Sequence, residues 1–455
     1  MKRNTRQHPK KQEIMKRTKH LIGMACLGLL LMATGCRAPV QEYDNYAPSP
    51  PMGWNSFDAF ITSINEEQYR ANVDYIAEHL KPYGYQYAVI DAGWYQKAIS
   101  DGKVEYLCDE HGRPIPHPHL FPSAANGAGF TPLADYVHGK GLKFGVHLMR
   151  GMSLLNLNKG YKVKGTDYLL DDVVNLNSKC PWSLHGTAGV KVDHPGSQAW
   201  YNSLFELLAE WGVDFVKYDD VASPLHLEEL IMIRKAIELC GREIVLSLSP
   251  GDFTQVSDAP HYSKYSAMWR ISSDFWDKWS SLYRNFNLLA QWNENFPERG
   301  WPDGDMLPIG YLTVLDNPRL TKFTTPELHS LMSLWCFARS PLILSCDLSR
   351  NTGEMLSIQT NRELVNINQH GEGNKVMYHD ENYHVWYAKY KKKAYVALFN
   401  ISDESRTIQY PLSELNLKAR KTFDVWTKET NELTGNQINV TIEPHDCRVL
   451  RLEKR

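Results

Sequence analysis

From about residue 50, short apolar runs alternate with longer stretches whose apolar residues recur at helical spacing. Short apolar runs are typical of buried strands, and the longer periodic stretches indicate helices. The apolar runs lie at 52–57, 85–91, 142–148, 213–220, 243–249, 268–274, 305–310 and 341–348. The helical stretches include 65–80, 132–141, 197–212, 227–241 and 326–340. This alternation predicts an α/β fold, a parallel sheet closed into a (β/α)8 TIM barrel.

The pattern changes after about residue 372. Strand-like segments at 375–401, 406–412 and 437–452 follow one another with polar turns and no helical stretch between them. Consecutive short strands predict a small antiparallel β-sandwich. The sequence therefore predicts a barrel over 50–371 and a C-terminal β-sandwich over 372–455, with residues 37–49 as a linker.

The N-terminal region has the pattern of an export signal. Basic residues populate positions 2–19, an apolar run covers 21–33, and Thr34 and Gly35 precede Cys36. This order is typical of a bacterial lipoprotein signal peptide over residues 1–36, with the lipid attached to Cys36. We expect an exported protein, a periplasmic or outer-membrane lipoprotein of a Gram-negative bacterium. An ordinary signal peptide with a chance cysteine is the alternative, since Ala33 stands where leucine is usual.

The charge balance argues against a nucleic-acid partner. The chain of 455 residues carries 50 basic and 52 acidic residues. Eight of the basic residues and one acidic residue lie in positions 1–35, so the remainder has 42 basic and 51 acidic residues, a balance of −9. A protein this acidic, with no basic stripe, is a poor binder of nucleic acid.

Six cysteines follow Cys36, and their spacing predicts no zinc site. They contain no CxxC pair, which zinc sites often use. We therefore expect no zinc ion at these cysteines. Some of these cysteines are free to pair in an exported protein, but their spacing leaves the pairing open.

Charged residues cluster where the predicted strands end. They are Asp91 after the second strand, Lys217, Asp219 and Asp220 at the fourth, Arg270 and Asp274 at the sixth, and Asp303 and Asp305 near the seventh. A single Asp after a strand is more often a turn or helix cap. Because the carboxyl ends of barrel strands share one mouth, several carboxylates beside Lys and Arg favour an active site there.

Two carboxylates beside a sugar bond suffice for glycoside hydrolysis. Lys217 and Asp219 are two residues apart on a strand and therefore share a face, so the ammonium group keeps Asp219 ionised, as a nucleophile requires. Asp274 has aromatic neighbours in sequence, Trp269, Phe275, Trp276 and Trp279. An aromatic wall would favour the protonated form, which suits a general acid, whereas Arg270 would favour the ionised form. The sequence leaves these two influences on Asp274 unresolved.

Six segments in order resemble one enzyme family. The segments are MGWNSF (52–57), VIDAGW (89–94), LKFGVHL (142–148), FVKYDD (215–220), MWRISSDFWDKW (268–279) and GWPDGDMLPIG (300–310). Together they resemble glycoside hydrolase family 27, the α-galactosidase family, over roughly residues 50–370, and the C-terminal β domain also fits. The resemblance implies a retaining exo-glycosidase that cleaves terminal α-D-galactosyl residues through a covalent glycosyl-enzyme intermediate, without metal or organic cofactor.

The resemblance also implies residue roles. Asp219 corresponds to the nucleophile and Asp274 to the general acid/base. The implied sugar ligands are Trp54, which would stack on the ring, Asp91 at the 4-OH region, Lys217 at the 3-OH and 4-OH region, and Arg270 at the 2-OH. The expected partner is an oligosaccharide or polysaccharide, with membrane contact only through the lipid at Cys36.

Three departures from the family pattern leave the glycone open. Ala92 stands where a second Asp usually binds the galactose 6-OH, a charged hydrogen bond worth roughly 1.5–3 kcal/mol. An apolar residue there resembles β-L-arabinopyranosidases, whose sugar lacks the CH2OH group, and also leaves room for a 6-substituted galactose. His147 replaces a common Tyr. Ser249 lies near a frequent Glu, which leaves room for the 2-acetamido group of α-N-acetylgalactosaminides.

Two further alternatives differ in class. One is a surface glycan-binding lipoprotein with an inactive barrel, against which the presence of both Asp219 and Asp274 argues. The other is a metal-dependent barrel hydrolase, for which the sequence lacks a His/Asp ligand pattern. Among these alternatives, α-galactosidase activity is the leading prediction.

Overall fold

The computed structural model describes residues 47–99, 104–183, 186–297, 299–314 and 317–453. The predicted signal peptide, Cys36 and residues 37–46 of the predicted linker lie outside the described residues. In the described part of the chain, no helix is both long and apolar enough to cross a membrane.

Eight parallel strands form one sheet. They are β1 Met52–Asn55, β2 Tyr87–Ile90, β3 Lys143–Met149, β4 Phe215–Asp219, β5 Val245–Leu248, β6 Met268–Arg270, β7 Trp301–Asp303 and β8 Leu342–Leu344. The order across the sheet is β7-β6-β5-β4-β3-β2-β1-β8. Leu307, just after β7, forms a parallel bridge with Leu344 of β8, which brings the two ends of the sheet together. The predicted (β/α)8 barrel is confirmed.

The seventh strand is displaced from its predicted position. The apolar run at 305–310 follows β7 and contributes only the closing bridge through Leu307. β7 itself consists of Trp301, Pro302 and Asp303, a proline-containing segment with a weaker apolar pattern than the run that follows it. Six of the other strands lie within the runs that predict them, and β3 extends one residue past its run, to Met149.

Helices cover the outside of the barrel. They are α1 Glu66–Tyr75, extended by a π-helical turn at Ile76–Leu80, α2 Thr131–Gly139, α3 Pro195–Glu210, α4 Leu227–Leu239, α5 Ala259–Tyr265, α6 Trp279–Glu294, α7 Thr325–Ala338 and α8 Arg362–His370. Capping boxes begin α1 at Asn65 and α7 at Thr324, which satisfies orphan backbone N–H groups there. Three helices, α5, α6 and α8, lie outside the predicted helical stretches; the N-cap residue of α6, Lys278, makes no side-chain capping bond.

Smaller elements decorate the barrel. Short helices lie at Phe57–Phe60, Leu170–Val173 and Gly353–Gln359. Strand pairs lie at Gln96–Ala98 with Val104–Tyr106, and at Tyr311–Val314 with Asn317–Leu320. The segment between β3 and α3 contains a three-stranded antiparallel sheet of Met152–Ser153, Val174–Lys179 and Thr187–Val190. Irregular strands separated by loops lack the regular alternation that predicts a sheet.

The C-terminal domain is antiparallel, as predicted. Its strands are β9 Glu372–His379, β10 Tyr383–Tyr390, β11 Lys393–Asn400, β12 Arg406–Pro411, β13 Lys421–Asp424, β14 Thr430–Glu432, β15 Gln437–Ile442 and β16 Cys447–Glu453. A six-stranded sheet, β9-β10-β11-β16-β13-β14, accompanies the pair β12-β15. Side chains from both sheets, among them Val396, Leu398, Ile408 and Ile438, form one buried apolar cluster. This two-sheet core is that of a β-sandwich.

The sandwich packs against helix α7 of the barrel. Ser330 Oγ donates a hydrogen bond to the His445 carbonyl at 2.8 Å, and Trp426 Nε1 donates one to Ser333 Oγ at 2.9 Å. The cysteines of the described residues, Cys108, Cys180, Cys240, Cys336, Cys346 and Cys447, are all free thiols.

Candidate active site

A cavity of about 450 Å³ opens at the carboxyl ends of the barrel strands. Every predicted site residue of the described chain except Trp54 lines it. These residues are Asp91, Ala92, His147, Lys217, Asp219, Ser249, Arg270 and Asp274. Most of them lie in a strand or immediately after one, so the barrel itself fixes their positions.

Asp219, the last residue of β4, is held by several donors. Its Oδ1 accepts hydrogen bonds from Ser249 Oγ at 3.0 Å and from the Asp220 backbone N–H at 2.9 Å. Its Oδ2 lies 3.6 Å from His147 Nε2. The side chain remains 21% exposed toward the cavity, so the carboxylate is oriented and still accessible to a ligand.

The surroundings of Asp219 favour its ionised form. Burial alone would raise the pKa of Asp219, but the adjacent His147 side chain, the Lys217 charge and the Asp220 amide lower it below its ordinary value. Lys217 lies two residues earlier on β4 and lines the same cavity, as strand alternation predicts. A carboxylate that stays ionised suits a nucleophile.

Replacing His147 by phenylalanine is expected to move the acid limb of kcat/KM to higher pH. In the wild type, a lowered pKa keeps Asp219 ionised until the pH falls through that low value. His147→Phe removes the polar neighbour that contributes most to lowering the pKa of Asp219, while burial, which raises that pKa, remains. A pH profile measures the shift, with Met149→Leu, a volume-conserving change in the same cavity, as the control. An acid limb that stays in place in His147→Phe would contradict this assignment.

Asp91 and Lys217 form a buried pair beside Asp219. Asp91 Oδ2 accepts from Lys217 Nζ at 2.8 Å and from Asn55 Nδ2 at 2.7 Å, while Oδ1 accepts from the Ala92 N–H at 2.7 Å. Burial would raise the pKa of Asp91, but Lys217 and then His147 lower it below the ordinary value. Both groups are therefore charged, and they present one acceptor and one donor for sugar hydroxyls.

Arg270, at the end of β6, contacts two carboxylates, those of Asp274 and Asp305. Its guanidinium is buried and lies 3.0 Å from both Asp274 Oδ1 and Asp305 Oδ1. Burial would lower the pKa of Arg270, but Asp305, Asp274 and Asp303 raise it. The Phe275 N–H donates to Asp305 Oδ2 at 2.8 Å, which fixes Asp305 and therefore the guanidinium that faces the cavity.

Of the two influences on Asp274 that the sequence left open, the structure does not show the enclosing aromatic wall. The Asp274 side chain is 69% exposed. Trp269 is buried against Tyr262, and Trp279 stacks on His445, so neither tryptophan lines the cavity. Phe275 and Trp276 do line it, and the described contact of Asp274 is with Arg270. Neighbours in sequence diverge in space here because the chain turns after β6.

The predicted stacking of Trp54 on the sugar is wrong. Trp54 is fully buried, its ring packs near Phe60 and Tyr69, and its Nε1 donates to the Cys346 carbonyl at 2.7 Å. Successive side chains on a strand point to opposite faces, so Asn55 reaches Asp91 inside the barrel while Trp54 points toward α1.

Phe57 lines the cavity instead, and sequence reasoning missed it. Phe57 begins the short helix after β1, so the available signal is an aromatic residue just beyond the carboxyl end of a strand. Asp58 was missed as well; it is buried, accepts a hydrogen bond from the Ser345 hydroxyl, and burial raises its pKa well above the ordinary value. Burial and the neighbouring Asp305 raise the pKa of Asp303 to about 7.

Among residues 47–453 with the stated gaps, no group of three or more His, Cys, Asp or Glu side chains is placed to hold a metal ion. The carboxylates of the cavity face Lys217, Arg270 and His147 instead.

A barrel mouth that holds two accessible carboxylates among buried charged side chains has the groups that glycoside hydrolysis requires. Comparison with family models agrees. Residues 49–171 and 180–370 match the model described as alpha galactosidase A, and residues 380–452 match the alpha galactosidase C-terminal beta sandwich domain. The chain belongs to glycoside hydrolase family 27.

Known members are similar over almost the whole chain. A β-L-arabinopyranosidase of this family from Geobacillus stearothermophilus superposes with a TM-score of 0.87 at 38% identity, covering 91% of this chain and 98% of its own. A candidate α-N-acetylgalactosaminidase from Bacillus halodurans gives 0.81 at 38% identity, covering 89% and 97%. The α-galactosidase of Oryza sativa is 28% identical over 424 residues, 91% of this chain and 87% of its own.

Proposed function

We propose that this protein is a retaining exo-hydrolase of β-L-arabinopyranosides, with Asp219 as nucleophile and Asp274 as general acid/base. The observation that supports this choice of sugar is Ala92, which follows Asp91 and lines the cavity. β-L-Arabinopyranose has the ring and hydroxyl configuration of α-D-galactopyranose without the CH2OH group. A site that lacks a carboxylate for a 6-OH therefore suits a sugar that has no 6-OH.

The cavity wall near Ala92 supports this choice. A side chain on Gly93 would meet the Thr62 Cβ at 2.7 Å, so the Ala92-Gly93 segment packs closely against Thr62. Thr62 and Ile61 line the cavity together with Phe57. These residues offer apolar groups and one hydroxyl, and the neighbouring Asp58 carboxyl is buried and bonded to Ser345, so a 6-OH placed here would find no charged acceptor like the one that an Asp at position 92 would supply. The Geobacillus enzyme with this activity, solved also as a variant in complex with arabinose, is similar over nearly the full chain.

The proposed reaction has two steps. Asp219 attacks the anomeric carbon as the glycosidic bond breaks, and Asp274 gives its proton to the leaving oxygen. Asp274, now ionised, takes a proton from water, whose oxygen attacks the same carbon and releases Asp219. The exposure of Asp274 suits this role, because leaving group and water approach from the open side. Lys217, Asp91 and Arg270 hold the ring hydroxyls.

α-D-Galactosides are the second candidate glycone. The hydroxyl-binding groups Asp91, Lys217 and Arg270 would serve galactose equally, and similar curated proteins such as the Oryza sativa enzyme are α-galactosidases. α-N-Acetylgalactosaminides are supported by Ser249, whose small side chain lines the cavity, and by the Bacillus halodurans protein. The Ser249 hydroxyl, however, donates a hydrogen bond to Asp219. A small polar residue at this position is therefore also explained by its contact with the proposed nucleophile.

The deciding experiment compares kcat/KM for the 4-nitrophenyl glycosides of β-L-arabinopyranose, α-D-galactopyranose and N-acetyl-α-D-galactosamine. We expect the arabinopyranoside to be preferred. A preference for either of the other glycosides would overturn the proposed glycone. Turnover of none of them, with Asp219→Ala binding glycans as the wild type does, would favour a glycan-binding protein.

Replacing Ala92 by aspartate is expected to shift the preference from arabinopyranoside toward galactoside. A restored charged acceptor for the 6-OH is worth roughly 1.5–3 kcal/mol, so the ratio of the two kcat/KM values is expected to change by roughly 10- to 150-fold. Ala92→Asn is the matched control of equal size without charge, for which we expect a smaller shift. An unchanged ratio in Ala92→Asp would show that the 6-OH does not lie near residue 92.

We also propose that the mature protein is a lipoprotein anchored through Cys36, which the order of basic, apolar and small residues before it supports. Metabolic labelling with a palmitate analogue is expected to mark the full-length protein and not Cys36→Ala. Equal labelling of both would rule out Cys36 as the lipidated residue.

A further inference from the structure

A buried ionic network lies beneath the nucleophile. Arg150 directly follows β3, and its side chain is only 1% exposed. Its Nη2 lies 2.8 Å from Asp220 Oδ2, and its Nη1 lies 2.5 Å from Glu229 Oε1. Removing three charged groups from water is costly unless their geometry is well matched, so such a network calls for a reason beyond stability.

The network holds the turn that carries Asp219. Asp220 has φ +62°, in the left-handed region that few non-glycine residues occupy and in which Asp and Asn are enriched. Arg150 Nε donates to the Asp220 carbonyl at 2.8 Å, and the Arg150 backbone N–H donates to the Asp219 carbonyl at 3.0 Å. In this turn, the Asp220 N–H reaches Asp219 Oδ1 at 2.9 Å.

Glu229 anchors the network from the opposite side. It lies in the first turn of α4, is 5% exposed, and accepts hydrogen bonds from the Val190 N–H at 3.1 Å and from the Tyr201 hydroxyl. A Cβ atom on Gly189 would come within 1.8 Å of Arg150 Nη1 and 2.3 Å of Glu229 Oε1. Gly189 therefore leaves the space that the Arg150–Glu229 ion pair occupies, which a larger residue would fill.

We infer that Arg150, Asp220 and Glu229 are positioning residues that set the orientation of the Asp219 carboxylate in the reaction. The inference rests on the proposed role of Asp219. Their side chains do not belong to the cavity lining, so they act through Asp219 and not on the sugar. A misplacement of about 1 Å at a reacting group can cost roughly a hundredfold in rate, so a rigid support beneath a nucleophile is worth the cost of buried charge.

The test replaces Asp220 by glycine and by asparagine, both of which tolerate left-handed backbone. Asp220→Gly removes the partner of Arg150 and keeps the turn accessible; Asp220→Asn keeps an acceptor oxygen. On the 2,4-dinitrophenyl glycosides of β-L-arabinopyranose and α-D-galactopyranose, we expect kcat to fall roughly tenfold or more in Asp220→Gly, with KM within about twofold. Asp220→Asn is expected to recover part of the loss.

The matched control is Asp109→Asn. Asp109 forms a largely buried pair with Arg113 at 2.7 Å, outside the cavity, so this variant reports the cost of losing a buried charge alone. A fall in melting temperature with unchanged kcat is expected for Asp109→Asn. The same result in Asp220→Gly would overturn the inference.

A crystal structure of Asp220→Gly separates this inference from the proposed function, because it needs no substrate. We expect the Asp219 carboxylate to leave its contacts with Ser249 Oγ and the residue 220 amide. If the wild type hydrolyses neither glycoside, the proposed function fails, and the crystal structure still decides. An Asp219 carboxylate that keeps both contacts would refute the positioning role.

Discussion

Replacing Asp219 by alanine is expected to lower kcat by roughly 10⁴-fold or more, the scale at which removing an enzyme's nucleophile acts. The loss follows because alanine has no carboxylate to attack the anomeric carbon. In the wild type, hydrogen bonds from Ser249 Oγ and the Asp220 N–H hold the Asp219 carboxylate at the cavity. Steady-state hydrolysis of an activated nitrophenyl glycoside measures it. KM is not expected to rise in parallel, since Asp91, Lys217 and Arg270 still bind the hydroxyls.

The control for this variant is a replacement of Asp214, close to the start of the same strand. Asp214 precedes β4, pairs with Arg242 at 2.5 Å and is not part of the cavity lining. Asp214→Asn is therefore expected to lower stability and to leave kcat within about threefold, since changes away from the site act mainly on stability. A residual kcat in Asp219→Ala within about tenfold of the wild type would assign the nucleophile elsewhere.

Replacing Asp274 by asparagine is expected to lower kcat by roughly 10²- to 10⁴-fold for a glycoside with a poor leaving group, because proton donation contributes on that scale. A dinitrophenyl leaving group departs without protonation, so formation of the glycosyl-enzyme is expected to be nearly unaffected. Pre-steady-state release of dinitrophenol, followed by a slow steady rate, measures both steps. An equal loss in the rate of glycosyl-enzyme formation for both leaving groups would contradict the acid role and favour a binding role beside Arg270.

The barrel was predictable because each strand combines an apolar run with a following helix or turn. Strand β4 shows this best: Phe215, Val216 and Tyr218 are buried, while Lys217 and Asp219 alternate with them and face the cavity. Alternation alone therefore places two functional groups on one face. Strand β7 was misplaced because Pro302 weakens the pattern.

The failures in the site concern residues whose direction the local sequence does not set. Trp54 and Phe57 are three residues apart, and only the end of β1 after Asn55 decides which ring faces the cavity. Trp279 follows Asp274 closely in sequence but stacks on His445 of the C-terminal domain. Such contacts depend on chain reversal and on partners more than a hundred residues away.

The network beneath Asp219 was out of reach for the same reason. Arg150 and Glu229 are 79 residues apart in sequence, and neither lies in a segment that resembles the family motifs. Asp220 was noted only as a second acid after β4. Its left-handed backbone and its pairing with Arg150 are tertiary properties that no spacing reports.

The most direct test of the proposed enzyme is the anomeric configuration of the first sugar released from 4-nitrophenyl β-L-arabinopyranoside, followed by ¹H NMR with Asp219→Ala as the inactive reference. We expect β-L-arabinopyranose to appear first and then to mutarotate, because two displacements at the same carbon retain its configuration. Initial release of the α anomer would mean a single displacement by water, and Asp219 would not be the nucleophile.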